Sequence, residues 1–246
     1  MSNNAVTNTL DSNFGSLSNA WNVPAPVNGA VTLSGNSAMM EWATGRDAGH
    51  GYGTYTVTAK VDGNQPGPGI ILWPGDNQWP GQEIDMLEIT PDGSGRQYGT
   101  VHWDGGGYDV YTPRIFDGVG GGTFHQYQMT WDPGKITFRV DGAEKGVVTD
   151  HVPTDHDHGG MNNTIGFLNN NSGTSLTVSQ VDFSPIGGSS SFTAPAAVQE
   201  VVAPAPEQAS APAASTPAPV DSGPVDWGAL AAQATANYEA TGHWFI

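Results

Sequence analysis

The chain has 246 residues and sets 24 Asp and Glu against 7 Lys and Arg, a formal charge of −17. That balance makes nucleic acid and anionic membrane poor partners, while a neutral ligand such as a glycan meets no penalty. There is no Cys, which excludes disulfides and thiolate metal sites, and no apolar run approaches the ~18 residues of a membrane span.

Along the chain, "MSNNAVTNTLDSN" has neither a basic n-region nor an apolar h-region. Residues 1–9 read as a disordered tail. A secreted protein built this way would be exported without a recognisable N-terminal signal peptide. Residues 10–187 read as one all-β domain, because strand-like runs recur from about residue 20 to 184 between Gly, Pro and Asn punctuation. "YGTYTVTAKV" alternates: Tyr55, Val57, Ala59 and Val61 share one face, and Thr54, Thr56, Thr58 and Lys60 the other. "YQMTWDPGKITFRVDG" predicts a hairpin, with Tyr127, Met129 and Trp131 answered across "DPG" by Ile136, Phe138 and Val140. "NTIGFLNNNSGTSLTVSQVDF" supplies two further strands. Many short strands at this spacing suggest a sandwich or jelly roll. Residues 188–224 are Ala, Pro and Ser with almost no large side chains, and predict an extended linker. Residues 225–246 predict a short helix. Asp226 N-caps it, Trp227, Leu230, Ala231, Ala234 and Tyr238 form a stripe, and Gly242 ends it. This tail reads either as an uncleaved export signal or as a docking helix for a partner.

"QEIDMLEIT" places Glu83, Asp85 and Glu88 within six residues. Glu83 and Asp85 fall on one face of a strand; Glu88 is out of register by one. A β-bulge at Met86 and Leu87 would restore Glu88 to the face of the other two, with Ile84, Ile89 and one bulge residue in the core. Without it Glu88 would enter the apolar layer unpaired, at a cost of about several kcal/mol. With it, the two glutamates lie roughly 13 Å apart at Cα in a straight strand. Leaning side chains can close much of that span toward the ~5–5.5 Å of a retaining glycosidase. Crowded like charges raise at least one of the carboxyl pKa values, leaving an acid that keeps its proton near neutrality. The plainer alternative is a solvated acidic face.

The stretch resembles the signature of glycoside hydrolase family 16 in its longer form E-x-D-x-x-E; family members with E-x-D-x-E have a regular strand one residue shorter. The resemblance extends to "GYGTYTVTAKV", "ILWPGDNQWPGQEID", "GTVHW", "FHQYQMTWDPGKITFRVDG" and the late "VDF", over about residues 10–186. It implies a concanavalin A-like β-jelly roll of two antiparallel sheets whose concave sheet carries an open cleft for an endo-acting, retaining β-glycanase. By motif position, Glu83 resembles the nucleophile, Glu88 the general acid/base and Asp85 the helper between them. His102 resembles the family histidine beside the carboxylates and is a substrate-binding candidate. Trp73 and Trp79 precede the acidic strand and are candidates for stacking on sugar rings, with core packing as the alternative. Trp103 and Trp131 read as core; Phe124, His125 and Tyr127 match a family run that can be structural. Phe138 departs from the family, where Trp is frequent.

Two-carboxylate hydrolysis requires no cofactor. Some family members hold a structural Ca²⁺, and Asp182 sits at the matching place, a thin ligand set for an oxygen-seeking ion. The run "DHVPTDHDHGG" offers Asp150, His151, Asp155, His156, Asp157 and His158 as transition-metal donors, but reads better as a polar loop. The expectation is a monomeric, secreted endo-β-glycanase with a polysaccharide substrate, β-1,3- or mixed β-1,3/1,4-glucan. The alternatives are a glycanase acting on a bacterial exopolysaccharide and a non-catalytic, lectin-like glycan-binding module.

Overall fold

A computed structural model describes residues 6–9, 17–41, 49–75, 78–155 and 163–186. Among them every regular element is a strand, fourteen in all. They form two antiparallel sheets packed as a jelly roll. One sheet runs β1 (Val6–Thr9), β14 (Ser175–Pro185), β5 (Gly53–Asp62), β10 (Phe124–Asp132), β11 (Lys135–Val140), β12 (Ala143–Val148), with β3 (Val31–Ser34) also on β14. The other runs β2 (Leu17–Trp21), β4 (Ser37–Glu41), β13 (Thr164–Asn169), β6 (Gly69–Trp73), β7 (Ile84–Ile89), β8 (Gln97–Asp104), β9 (Asp109–Ile115).

The alternation in the sequence sets the core. Tyr55, Val57, Ala59 and Val61 of β5 are buried, as are Tyr127, Met129 and Trp131 of β10 and Ile136, Phe138 and Val140 of β11. They meet Ile70, Leu72, Ile84, Ile89, Val101 and Phe167 of the facing sheet in one cluster. Asp132 pairs with Lys135, so Pro133 and Gly134 form the turn of the β10–β11 hairpin. Gly134 takes φ 70° there, a left-handed value that suits glycine after proline.

The N-terminal stretch differs from the expected tail. Val6–Thr9 pairs with Phe183–Gln180, adding an edge strand to β14. The linker 188–224, the helix 225–246 and His156, Asp157 and His158 lie outside the described residues. Asp150 and His151 are exposed on the loop after β12 and lie 3.6 Å apart. The His151 ring stacks on Trp103 at 4.1 Å between centroids. Trp131 is core and donates from Nε1 to the Pro153 carbonyl. Trp103, expected in the core, is only half-buried beneath His151.

Candidate active site

The site is built on β7, held between β6 and β8. Its register slips as the acids require. Against β8, Asp85 pairs with Thr100 and Glu88 with Tyr98. Met86 and Leu87 therefore share the space opposite Gly99. Against β6, Ile71 pairs with Asp85 and Ile70 with Leu87, so Met86 is the extra residue on that side as well. This is the two-against-one count of a β-bulge. Both Met86 and Leu87 join the core, rather than one of them. Gly99 opposite them has no Cβ, and a Cβ there would collide with the Phe138 and Phe116 rings. Phe138, the position at which the family often has Trp, thus packs behind Gly99 of β8, the strand beside the acidic one.

The bulge returns Glu88 to the outer face with Glu83 and Asp85. Glu83 precedes β7 but stays in the ladder, since His102 N donates to its carbonyl at 2.9 Å. Asn163 secures the approach: its Nδ2 donates to Leu72 O at 3.0 Å and to Gln82 O at 2.6 Å. The three acids are 1, 2 and 4% exposed, and His102 is 1% exposed. His102 Nε2 stands 2.9 Å from Asp85 Oδ2. On the other side of the ring, Nδ1 is 3.1 Å from both carboxylate oxygens of Asp109. Tyr98 donates its hydroxyl to Glu88. Both carboxylate oxygens of Glu83 are buried and have no protein hydrogen-bond partner.

This crowding shifts the proton affinities of the group. Burial pushes the Glu88 carboxyl up to about 8, helped by the Asp85 charge beside it and opposed by His102. Burial likewise holds Glu83 well above the ordinary carboxylate range, with Asp85 adding to the effect and His102 opposing it. The Asp85 charge between them is the largest charge effect on both. Protonation of Glu88 removes one of the charges that raise Glu83. Burial alone would lower His102, but its bonds to Asp109 and Asp85 and the charge of Glu83 outweigh it. These partners draw the ring toward its imidazolium form. The arrangement supplies two carboxyls that hold their protons more tightly than usual and an imidazole whose positive form opposes that effect.

Trp79 is half-buried, stacks on Trp73 at 5.4 Å and 19°, and leans on His102 at 5.7 Å. Trp73 is 2% exposed; with Ala38, Met40, Ile71 and Leu168 it forms a small apolar cluster on the outer face of this sheet. It underlies Trp79 and does not face solvent. Tyr98, Asp109 and Tyr111 escaped the sequence reading. Tyr98 shares the period-2 face of His102, and Tyr111 and Asp109 are found by counting outward from the "DGGG" turn, where Asp104 pairs with Asp109 and His102 with Tyr111. Tyr111 lies 5.5 Å from His102, ring to ring.

Among the described residues, three metal-capable groups converge only at Glu83, Asp85 and His102, whose donor atoms lie within 4.8 Å of one another. That trio is better explained by acid–base chemistry. Asp182 is on the other sheet, between the core residues Val181 and Phe183, and accepts from Gln180 Nε2 at 2.8 Å.

The family model of Glycosyl hydrolases family 16 matches residues 28–171, more than half of the chain. The chain belongs to this family. It is therefore a glycoside hydrolase by descent, and the match spans β7 with its three acids. No curated protein sequence matches it. Solved structures agree on the fold. A β-1,3-1,4-glucanase (lichenase) from a mouse hindgut metagenome superposes with a TM-score of 0.54 at 16% identity, covering 74% of this chain and 99% of the other. The Bacillus licheniformis β-glucanase gives 0.54 at 15% identity, covering 73% and 97%. The Crh5 transglycosylase in complex with NAG gives 0.52 at 17% identity, covering 74% and 83%.

Proposed function

We propose that this family 16 enzyme is a retaining, endo-acting β-glycanase that hydrolyses β-1,3- or mixed β-1,3/1,4-glucan. The observation that supports it is the bulge, which gathers Glu83, Asp85 and Glu88 on one buried face against the His102 ring. Glu83 attacks the anomeric carbon while Glu88 gives its proton to the departing oxygen. Water, deprotonated by the same Glu88, then releases the sugar from Glu83. Asp85 accepts from the Glu88 proton in the resting site, and its charge raises the proton affinity of Glu83. Trp79 offers a ring face to a sugar. The β-glucanases of similar fold support the choice of linkage.

Charge favours a neutral glycan over an anionic exopolysaccharide. Every described Lys and Arg is engaged away from the site. Lys60, Arg96, Lys135 and Arg139 pair with Asp62, Asp92, Asp132 and Glu144. Arg114 and Lys145 donate to the carbonyls of Val147 and Asp117. We propose that the protein acts as a secreted monomer, with Asp182 as a candidate Ca²⁺ ligand that catalysis does not use.

The test is reducing-end release from a panel of neutral and anionic polysaccharides, followed by azide rescue of two variants on an activated aryl glycoside. Glu83→Ala opens space below the anomeric carbon, and azide attacking there gives an α-glycosyl azide. Glu88→Ala still forms the glycosyl-enzyme, which azide opens to a β-glycosyl azide. Swapped configurations reverse the two roles. No hydrolysis of any glycan by the wild type favours a binding module instead.

A further inference from the structure

His102 carries more of the site than its motif position suggests, and its own support comes from a residue outside the acidic strand. We propose that Asp109 is a positioning residue that locks the His102 ring so that Nε2 faces Asp85, keeping the acidic triad aligned. The inference rests on the reading of Glu83 and Glu88 as the reacting pair. Asp109 begins β9 and is placed by the turn Gly105–Tyr108, which Asp104 caps by accepting from the amides of Gly106 and Gly107. From there its carboxylate reaches His102 Nδ1 with both oxygens at 3.1 Å. Trp79 and Tyr111 pack around the same ring at 5.7 and 5.5 Å.

The geometry explains the need for a lock. A half-turn of an imidazole about its Cβ–Cγ bond exchanges Nδ1 with Cδ2 and Nε2 with Cε1. Packing alone hardly distinguishes these two orientations, because the ring outline is nearly the same in both. Only the one seen sets a nitrogen against each carboxylate. Nε2 meets Asp85 at 2.9 Å without the alignment of a full hydrogen bond, so that contact is the weaker anchor. Asp109, gripping the opposite nitrogen, is the stronger one. The groups facing the ring are Glu83, Asp85 and, farther, Glu88 from the acidic strand, Asp109 and Tyr111 from β9, and Trp79 from the preceding loop. Asp109 is the one acid among them that does not belong to the acidic strand, and so can hold the ring without competing for the reacting proton.

The experiment uses the full chain and the glucan that the wild type cleaves best. Asp109→Asn should lower kcat by about 10-fold, the order expected when the support of a functional imidazole is lost, with KM nearly unchanged and thermal unfolding close to wild type. Asp109→Glu keeps the charge on a longer arm and should recover part of the loss. The ¹⁵N signals of the His102 ring, assigned by their absence in His102→Gln, should move in Asp109→Asn. Asp117→Asn removes an equal charge from an exposed position beyond the other end of β9, and should leave kcat and the ring signals in place. Wild-type kcat in Asp109→Asn overturns the proposal, as does an equal shift of the ring signals in Asp117→Asn. If Asp109→Asn does not fold, Asp109→Ser is read by the same criteria. If the wild type cleaves no glycan, the catalytic reading fails by itself, and the ring signals still decide whether Asp109 fixes His102.

Discussion

Glu88 is the residue whose environment has the most direct consequence in solution. Burial and the neighbouring Asp85 lift its carboxyl to about 8, whereas in an unfolded chain it ionises near ~4.3. As general acid it must carry its proton, so kcat/KM should fall as pH rises through about 8. The sign for stability is the same. A carboxyl with a raised folded pKa binds its proton more tightly in the native state. Its contribution is complete below the unfolded value and is lost as pH rises toward the folded one. His102, also raised, acts in the same direction. Thermal unfolding should therefore shift to lower temperature between about pH 5 and about 8. Glu88→Gln, neutral at every pH, should flatten much of that slope and abolish turnover of natural glucan. A wild-type rate that keeps rising beyond about pH 9 would remove Glu88 from the acid role.

At the scale of the element, the bulge carries the site, and it can be edited. Deleting Met86 lets β7 pair without a slip against both β6 and β8, because Met86 is the unmatched residue toward each. Glu83, Asp85 and the shifted glutamate stay on one face. Activity should be reduced but measurable, with some loss of stability from the missing core side chain. Inserting Gly after Leu87 drives the glutamate into the layer of Ile70, Phe138 and Phe116, and activity should vanish. Hydrolysis assays paired with circular dichroism melts check both; a folded, inactive deletion together with an active insertion would refute the register argument. The bulge was legible in the sequence for a clear physical reason. In a chain with few charges, an acid forced out of alternation has nowhere to go but into the core or around a bulge. The fate of Met86 and Leu87 was not legible, because the space that admits both depends on Gly99 in another strand and on Phe138 in another sheet. Asp109 was hidden for the same reason. Its distance from His102 is set by the pairing of β8 with β9, and only a fixed register tells which of the acids in "DGGGYD" reaches the ring.

For the whole molecule, alternation revealed the strands but not their neighbours. β14 lies beside β5 and β1, strands more than a hundred residues earlier, and nothing local in "SLTVSQVDFSP" names those partners. Val6–Thr9 reads as a tail because four residues with two Thr and an Asn bear no pattern of their own; its strand exists only through β14. This arrangement fixes where the chain can be cut. The family match ends at residue 171, yet β14 follows it and fills the interior of its sheet with Leu176, Val178, Val181 and Phe183 in the core. A chain ending at 171 would expose the edges of β5 and β3 and leave the facing side of the core open, so it should be insoluble or unfolded. A chain ending at 187 keeps all fourteen strands and every residue of the acidic site. We predict that it unfolds cooperatively near the full-length temperature and retains full-length kcat/KM on glucan. Loss of either would mean that residues 188–246 pack on the domain. Retention of both would leave that segment to export or docking, which extracellular yield of the two lengths in the native host can separate: equal yields exclude the export role, and a deficit confined to the shorter chain supports it.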